Sequence, residues 1–212
     1  MLVSLIITTY NRPDALLLVL LSIERQTVLP DEVIIADDGS GISTKKIISN
    51  YQKTSSLNII HSWQVDRGFR VSESRNKAIA KSNSEYIILI DGDMILHHKF
   101  IQDHLNNSEF GFFNQGTRVL LNQNLTREAL KRMRTHFPFR SKGITNRKNA
   151  IYSYFLSKLF SKKNNYLRGI KTCNMAFFKQ DCVNINGFNN DFVGWGREDT
   201  EFVVRLLNNG IG

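Results

Sequence analysis

The chain has 212 residues, 42% hydrophobic and 22% charged, which suits one sizeable folded domain and excludes a disordered or low-complexity chain. Its longest apolar run, Ala15 to Leu21, is far shorter than the roughly 20 residues a membrane-spanning helix needs. The net charge of +9 sits in one block: residues 127–168 hold 12 Lys and Arg against one acid, whereas 1–126 hold 12 against 13 and 169–212 hold 4 against 5.

A basic block of this kind suits an anionic lipid surface, an acidic glycan or nucleic acid, and charge alone does not choose among them. Cys173 and Cys182 give neither a disulfide framework nor a zinc spacing. Met1 to Tyr10 lacks the basic start and small-residue cleavage site of a secretory leader. The expected setting is therefore reduced and cytoplasmic.

Val3 to Thr9 is a β-branched apolar run ending in polar residues, and reads as a buried strand. Asn11, Pro13 and Asp14 supply turn and helix-start chemistry before a helix over Ala15 to Gln26. Glu32 to Ala36 is a second buried strand, closed by Asp37-Asp38-Gly39-Ser40. A helix over Thr44 to Lys53, a strand over Leu57 to Trp63 and a helix over Val71 to Ser82 follow. Glu85 to Ile90 is another buried strand, cut off by Asp91-Gly92-Asp93. Beyond it, Phe110 to Leu121 reads as one or two strands and Thr126 to His136 as an amphipathic basic helix. Ile151 to Phe160 mixes aromatic residues with flanking lysines, Lys171 to Phe178 returns to strand character, and Thr200 to Asn208 is helical.

Strands alternating with helices predict an α/β fold, a mostly parallel twisted sheet with helices on both faces. Ligands of such sheets bind beyond the carboxyl ends of the strands. Thr8-Thr9-Tyr10, Asp37-Asp38 and Asp91-Gly92-Asp93 all stand at predicted strand ends, so they should converge on one edge.

Two carboxylates flanking a glycine after a buried strand make a compact hard-oxygen site. It suits Mg²⁺ or Mn²⁺ bridging to a diphosphate, since few protein ligands leave positions for phosphate oxygens; a solvated surface turn is the other reading. In Gly194-Trp195-Gly196-Arg197-Glu198-Asp199 the paired acids either complement a helix dipole or supply a proton acceptor. Arg70 and Arg75 flank a helix start, where a guanidinium meets a phosphate or simply faces water. His97 and His98 read as surface residues, and His61, His104 and His136 as structural ones.

Taken in order, SLIITTYNRPDALLLVLLSIERQT, VIIADDGS, SESRNKAIAKS and YIILIDGDMIL resemble family 2 glycosyltransferases of the nucleotide-diphospho-sugar (GT-A) fold. The later TCNMAFFKQDCVNINGFNNDFVGWGREDTEF is similar to the carboxyl half of β-1,4-galactosyltransferases and bacterial chondroitin-type polymerases. The resemblance implies one catalytic domain over 1–212. Residues 1–126 would be its nucleotide-sugar half, 127–168 a basic insert, and 169–212 the acceptor and catalytic part. It implies that Thr8, Tyr10, Arg12, Asp38, Phe69, Arg70, Arg75, Asp91 and Gly92 face the donor, and that Asp93 and Asp91 hold Mn²⁺ or Mg²⁺. It further implies that Trp195, Arg197 and Glu198 meet the acceptor and that Asp199 is the catalytic base.

The relatives complete their metal site with a histidine after the Glu-Asp pair. Here no His follows His136, so the expectation is either that the third ligand lies beyond Gly212 or that metal binding is incomplete. Arg197 also replaces a glycine common in the vertebrate galactosyltransferases. The expected partners are a UDP-sugar donor and a glycan or lipid-linked glycan acceptor, with an anionic membrane touching 127–168 at the inner face and no nucleic acid. A nucleotidyltransferase of the same fold would carry a glycine-rich basic loop after the first strand, which Thr8 to Asp14 lacks. A non-catalytic glycan- or nucleic-acid-binding protein would leave both acidic clusters unexplained.

Overall fold

Apolar, β-branched runs form the centre of a six-stranded sheet. Strands β1 (Val3–Thr9), β2 (Glu32–Asp37), β3 (Ile59–Trp63) and β4 (Tyr86–Asp91) lie parallel in the order β3-β2-β1-β4. The sheet is completed on the β4 side by two antiparallel partners, β8 (Asn174–Phe178) and then β5 (Asn114–Gln115). A separate two-stranded ribbon pairs β6 (Leu120–Leu121) with β7 (Ile144–Thr145). This computed structural model describes residues 1–150, 167 and 169–212. The aromatic, lysine-flanked stretch Ile151 to Phe160 lies outside the described residues.

Alternate strand residues point to opposite faces, and each face is roofed by helices. Leu5, Ile7, Val33, Ile35, Ile88 and Ile90 pack with Leu16, Val19, Leu20 and Ile23 of α1 (Pro13–Ile23) and Ile48 of α2 (Ile42–Thr54). On the other face Ile6, Ile34, Ile87, Leu89, Met175 and Phe177 pack with Ala78 and Ile79 of α3 (Val71–Lys81). Phe202, Val203 and Leu206 of the last helix, Glu198–Asn208, complete that layer. The expected helix-sheet-helix layering is what the chain adopts.

Several boundaries differ from expectation for local reasons. Helix α1 opens at Pro13, whose missing N–H costs nothing in a first turn, and ends at Ile23 instead of Gln26. Gln26 serves as a clamp: its side-chain Nε2 donates to the carbonyls of Ser22 and His97, and its Oε1 accepts from the Ile101 N–H at 3.1 Å. Ser22 Oγ accepts from the Leu96 N–H, so the segment following Asp93 is stapled to α1. The basic helix α5 runs over Gln123–Arg132, earlier than expected. Asn122 caps its start through a bond from the Leu125 N–H, and Met133 ends it in the left-handed region at φ 51°. The last helix begins at Glu198, two residues before the expected Thr200. The strand expected from Lys171 begins at Asn174. A short helix α4 (Phe100–Asn106) and another over Lys179–Asn184 were not anticipated.

Candidate active site

Parallel register places the polar strand ends side by side. Thr8 of β1 pairs with Asp91 of β4, and Thr9 pairs with Asp37 of β2. These ends open into a cavity of about 640 Å³ whose far wall is formed by Ile170 to Cys173 and by Trp195 to Thr200. Thr8, Tyr10, Arg12, Asp38, Phe69, Arg75, Asp91, Gly92, Asp93, Trp195, Arg197, Glu198 and Asp199 all line it. Arg70 is the one sequence-selected residue outside that lining. Its backbone N–H donates to Asp38 Oδ2 at 2.8 Å, while its guanidinium turns back to the Arg67 carbonyl.

Asp38 is buried at the β2 end, where Gln64 Nε2 donates to its Oδ1 at 2.6 Å. Burial pushes its carboxyl above the usual range; the Arg70 and Gln64 donors oppose this, and Asp66 and Asp37 add to it. Asp37, wholly buried, points the other way. Burial would raise it, but bonds from His61 and Ser40 prevail and hold it below its ordinary value. Of the neighbouring acids, Asp38 is thus the one that lines the cleft, and Asp37 belongs to the frame. Tyr10 is half exposed, and its hydroxyl donates to Asp66 Oδ2 at 2.9 Å.

At the β4 end, Gly92 has to be glycine. Its N–H donates to the Thr8 carbonyl at 2.7 Å, and a Cβ there would fall 2.7 Å from that same oxygen. The tight turn leaves Asp91 and Asp93 facing the cleft. Asp91 Oδ1 accepts from Thr8 Oγ1 at 3.2 Å and lies 3.9 Å from Arg75 Nη2. Burial raises the Asp91 carboxyl and Arg75 lowers it, while Asp93 and Asp199 push it up again. The net shift is upward.

Arg75 connects the two walls. Its side chain, 5% exposed, donates from Nη1 to Asp199 Oδ1 at 3.0 Å, and the guanidinium lies 5.2 Å from the centre of the Phe188 ring. Asp199 also accepts from the Thr172 N–H at 3.0 Å and from Thr172 Oγ1 at 2.7 Å. Glu198 is buried in the first turn of the last helix, where its Oε2 accepts from the Gly196 N–H. Before it, Trp195 stands 90% exposed on a loop whose Gly194, Gly196 and Arg197 all have positive φ. That loop is tied to the opposite wall by a bond from the Gly194 N–H to the Phe69 carbonyl.

Sequence reading missed Thr172 and Gln64, which hold Asp199 and Asp38. A lone threonine or glutamine carries no local pattern that marks it. His97 and His98 are exposed, as expected of surface residues. His104 is buried against Asn174 Oδ1 at 2.9 Å, and burial lowers it to about 4. Both cysteines are free and buried.

Among the described residues no group of three or more His, Cys, Asp or Glu is placed to hold a metal ion. Asp91 and Asp93 nevertheless fit a hard divalent cation in part. They are two oxygen ligands that repel each other beside an open cavity, which leaves coordination positions for a ligand's phosphates. A cation between them would relieve that repulsion.

A mostly parallel sheet with an antiparallel strand beside β4 and acids at its carboxyl edge is the arrangement of the GT-A class of nucleotide-diphospho-sugar transferases. The family model described as Glycosyl transferase family 2 matches residues 4–181, and the chain belongs to that family. A second, described as N-terminal domain of galactosyltransferase, matches residues 155–212. The chain is 28% identical to a hyaluronan synthase of Pasteurella multocida, over 98% of this chain and 23% of that protein. It is 25% identical to a validoxylamine A glucosyltransferase of Streptomyces hygroscopicus subsp. limoneus, over 99% of this chain and 49% of the other. It thus spans a quarter to a half of these relatives.

Among solved structures, S. aureus TarS superposes with a TM-score of 0.64 at 16% identity, covering 97% of this chain and 33% of that one. The mannosyltransferase PcManGT of Pyrobaculum calidifontis, in complex with GDP-Man and Mn²⁺, superposes with a TM-score of 0.63 at 14% identity, covering 99% and 52%. At such identities they attest the shared fold. The two relatives and PcManGT are by name sugar transferases or a polysaccharide synthase, and none of them is a nucleotidyltransferase.

Proposed function

We propose that this chain is the catalytic part of a metal-dependent, inverting glycosyltransferase that moves a hexose or N-acetylhexosamine from a UDP-sugar to a glycan hydroxyl. The observation that carries this reading is that Asp91 and Asp93 share one cavity with Asp199, on opposing walls bridged by Arg75. Residues 1–126 hold the donor and 169–212 the acceptor. Asp38 and Gln64 sit where a base is read, Tyr10 and Phe69 offer aromatic surface beside it, and Thr8 and Arg12 line the way to the diphosphate.

Asp91 and Asp93 would hold Mn²⁺ or Mg²⁺, which supplies neutralisation of the charge that gathers on the departing nucleoside diphosphate. Asp199 accepts the proton of an acceptor hydroxyl as that oxygen bonds to the anomeric carbon. The bond from that carbon to the diphosphate oxygen breaks on the opposite side, and UDP leaves with the electron pair. One displacement inverts the centre, so an α-linked donor gives a β-glycoside. Thr172 and Arg75 keep the Asp199 carboxylate facing the cleft, which is the pre-organisation a positioned base requires. Trp195 and Arg197 on the exposed loop, with Glu198 behind them, flank the acceptor's path.

Calorimetry across UDP-glucose, UDP-galactose and their N-acetyl forms, with GDP-mannose as the contrast, tests the reading. One UDP-sugar should bind only when Mn²⁺ or Mg²⁺ is present. Absence of binding by every nucleotide sugar, with and without the ions, would overturn it.

The basic stretch fits a peripheral contact with anionic lipid at the inner membrane face. In α5, Leu125 and Ala129 turn inward while Arg127, Lys131 and Arg132 are exposed, which leaves basic side chains on the surface to meet anionic headgroups. Among the described residues no helix is long and apolar enough to cross a membrane. The protein should co-sediment with phosphatidylglycerol vesicles and be released by high salt. Equal pelleting with neutral vesicles would remove this contact.

A further inference from the structure

Two cations in the cleft have no role in the chemistry above. Arg118 and Lys171 line the same cavity and form no ion pair among the described residues. The buried Arg75 is committed to Asp199 and Asp91, and Arg12 pairs with Asp14. The acids of the far wall do not compensate the pair either, because Asp199 is held by Arg75 and Thr172 and Glu198 accepts from Gly196.

Both residues are held in place by their backbones. Arg118's carbonyl accepts from Asn149 Nδ2 at 2.9 Å, and the preceding Thr117 carbonyl accepts from Asn174 Nδ2 at 3.0 Å. Gly116 donates to the Asn174 carbonyl, and a Cβ on Gly116 would collide with the Asn174 side chain at 2.2 Å. The Lys171 N–H donates to Gln115 Oε1, and Gln115 Nε2 donates in turn to the Gly169 carbonyl. Among the described residues Arg118's side chain donates to the Cys173 sulfur at 2.9 Å, a weak acceptor that occupies only part of a guanidinium's five donors. Burial and Asp91 push the Cys173 thiol up, and Arg118 and Lys171 both pull against that shift. Arg118, Lys171 and Cys173 thus share one stretch of the cavity lining.

The strand order says which half of the cleft this is. Asp38 stands two strands to one side of Asp91, across β1, whereas Arg118 and Lys171 follow from β5 and lead into β8 on the other side. We propose that the acceptor half of the cleft takes an anionic saccharide, whose charged group seats between Arg118 and Lys171. This rests on the glycosyltransferase reading and adds the acceptor's chemical class. A uronate carboxylate and a sugar phosphate share the required charge, and a planar guanidinium fork suits either.

The test uses the protein with UDP and Mn²⁺ and three glycosides that differ only at C6: p-nitrophenyl β-glucoside, its glucuronide and its 6-phosphate. Their binding is read by NMR line broadening. An anionic glycoside should bind at least about tenfold tighter than the glucoside, the scale of one charged hydrogen bond. Whichever anion wins identifies carboxylate or phosphate. Arg118→Gln and the exposed, structurally undemanding Lys171→Gln should each erase most of that preference while UDP affinity holds. Equal binding of all three, binding of none, or a loss of UDP affinity in both variants would overturn the inference. UDP titrated with Mn²⁺ beforehand reports on the underlying reading alone, so the two can fail separately.

Discussion

Asp199→Asn should lower turnover by about 10²–10⁴, the range of a general base, and leave UDP affinity close to that of the unsubstituted protein. The amide keeps the size of the carboxylate and one oxygen to accept from Thr172, so the far wall should stay in place. What is lost is the capacity to take a proton, together with the charge that pairs with Arg75 at 3.0 Å. Steady-state kinetics and calorimetry on the same preparation separate these effects. Retained turnover with lost nucleotide binding would move Asp199 from the chemistry to the donor site.

Asp93→Ala should abolish the Mn²⁺-dependent part of UDP binding. Asp93 is exposed at the cleft and forms no hydrogen bond or ion pair among the described residues, so its removal costs the fold little. It would leave Asp91 as a lone carboxylate beside Arg75, too sparse a set for a hard divalent cation that needs several oxygens. Titrating UDP with and without Mn²⁺ reads the difference directly, and unchanged affinity in both conditions would remove Asp93 from the metal site. Unchanged thermal unfolding in the absence of nucleotide would show that the loss is local.

The strands of the parallel core were legible because each is a β-branched apolar run closed by a polar cluster. Parallel pairing then follows from alternation with helices, and it carries Thr8, Asp38 and Asp91 to one edge. The short elements were not legible. A two-residue strand such as Asn114–Gln115 has no periodicity, and it exists because β8 offers an unpaired edge. Helix ends were set by partners remote in sequence: α1 stops early where Gln26 turns to His97 and Ile101. The candidate site was readable only as residue types. That Arg75 would lie buried between Asp91 and Asp199, 124 positions downstream of it, depends on α3 and the last helix packing on one face. No local pattern encodes that. Thr172 shows the same limit from the other direction, since its importance comes wholly from where Asp199 lands.

The stapling of the post-Asp93 segment onto α1 makes the acidic turn a dependent of a helix packed on one face of the sheet. A single carboxamide serves His97 and Ile101 together, and no apolar side chain of similar size can replace both bonds. Drift at position 26 is therefore answerable to the cation-facing turn, though the glutamine never meets an ion. A screen for weakened cation affinity should accordingly recover changes from the interior of the domain as well as from the cleft.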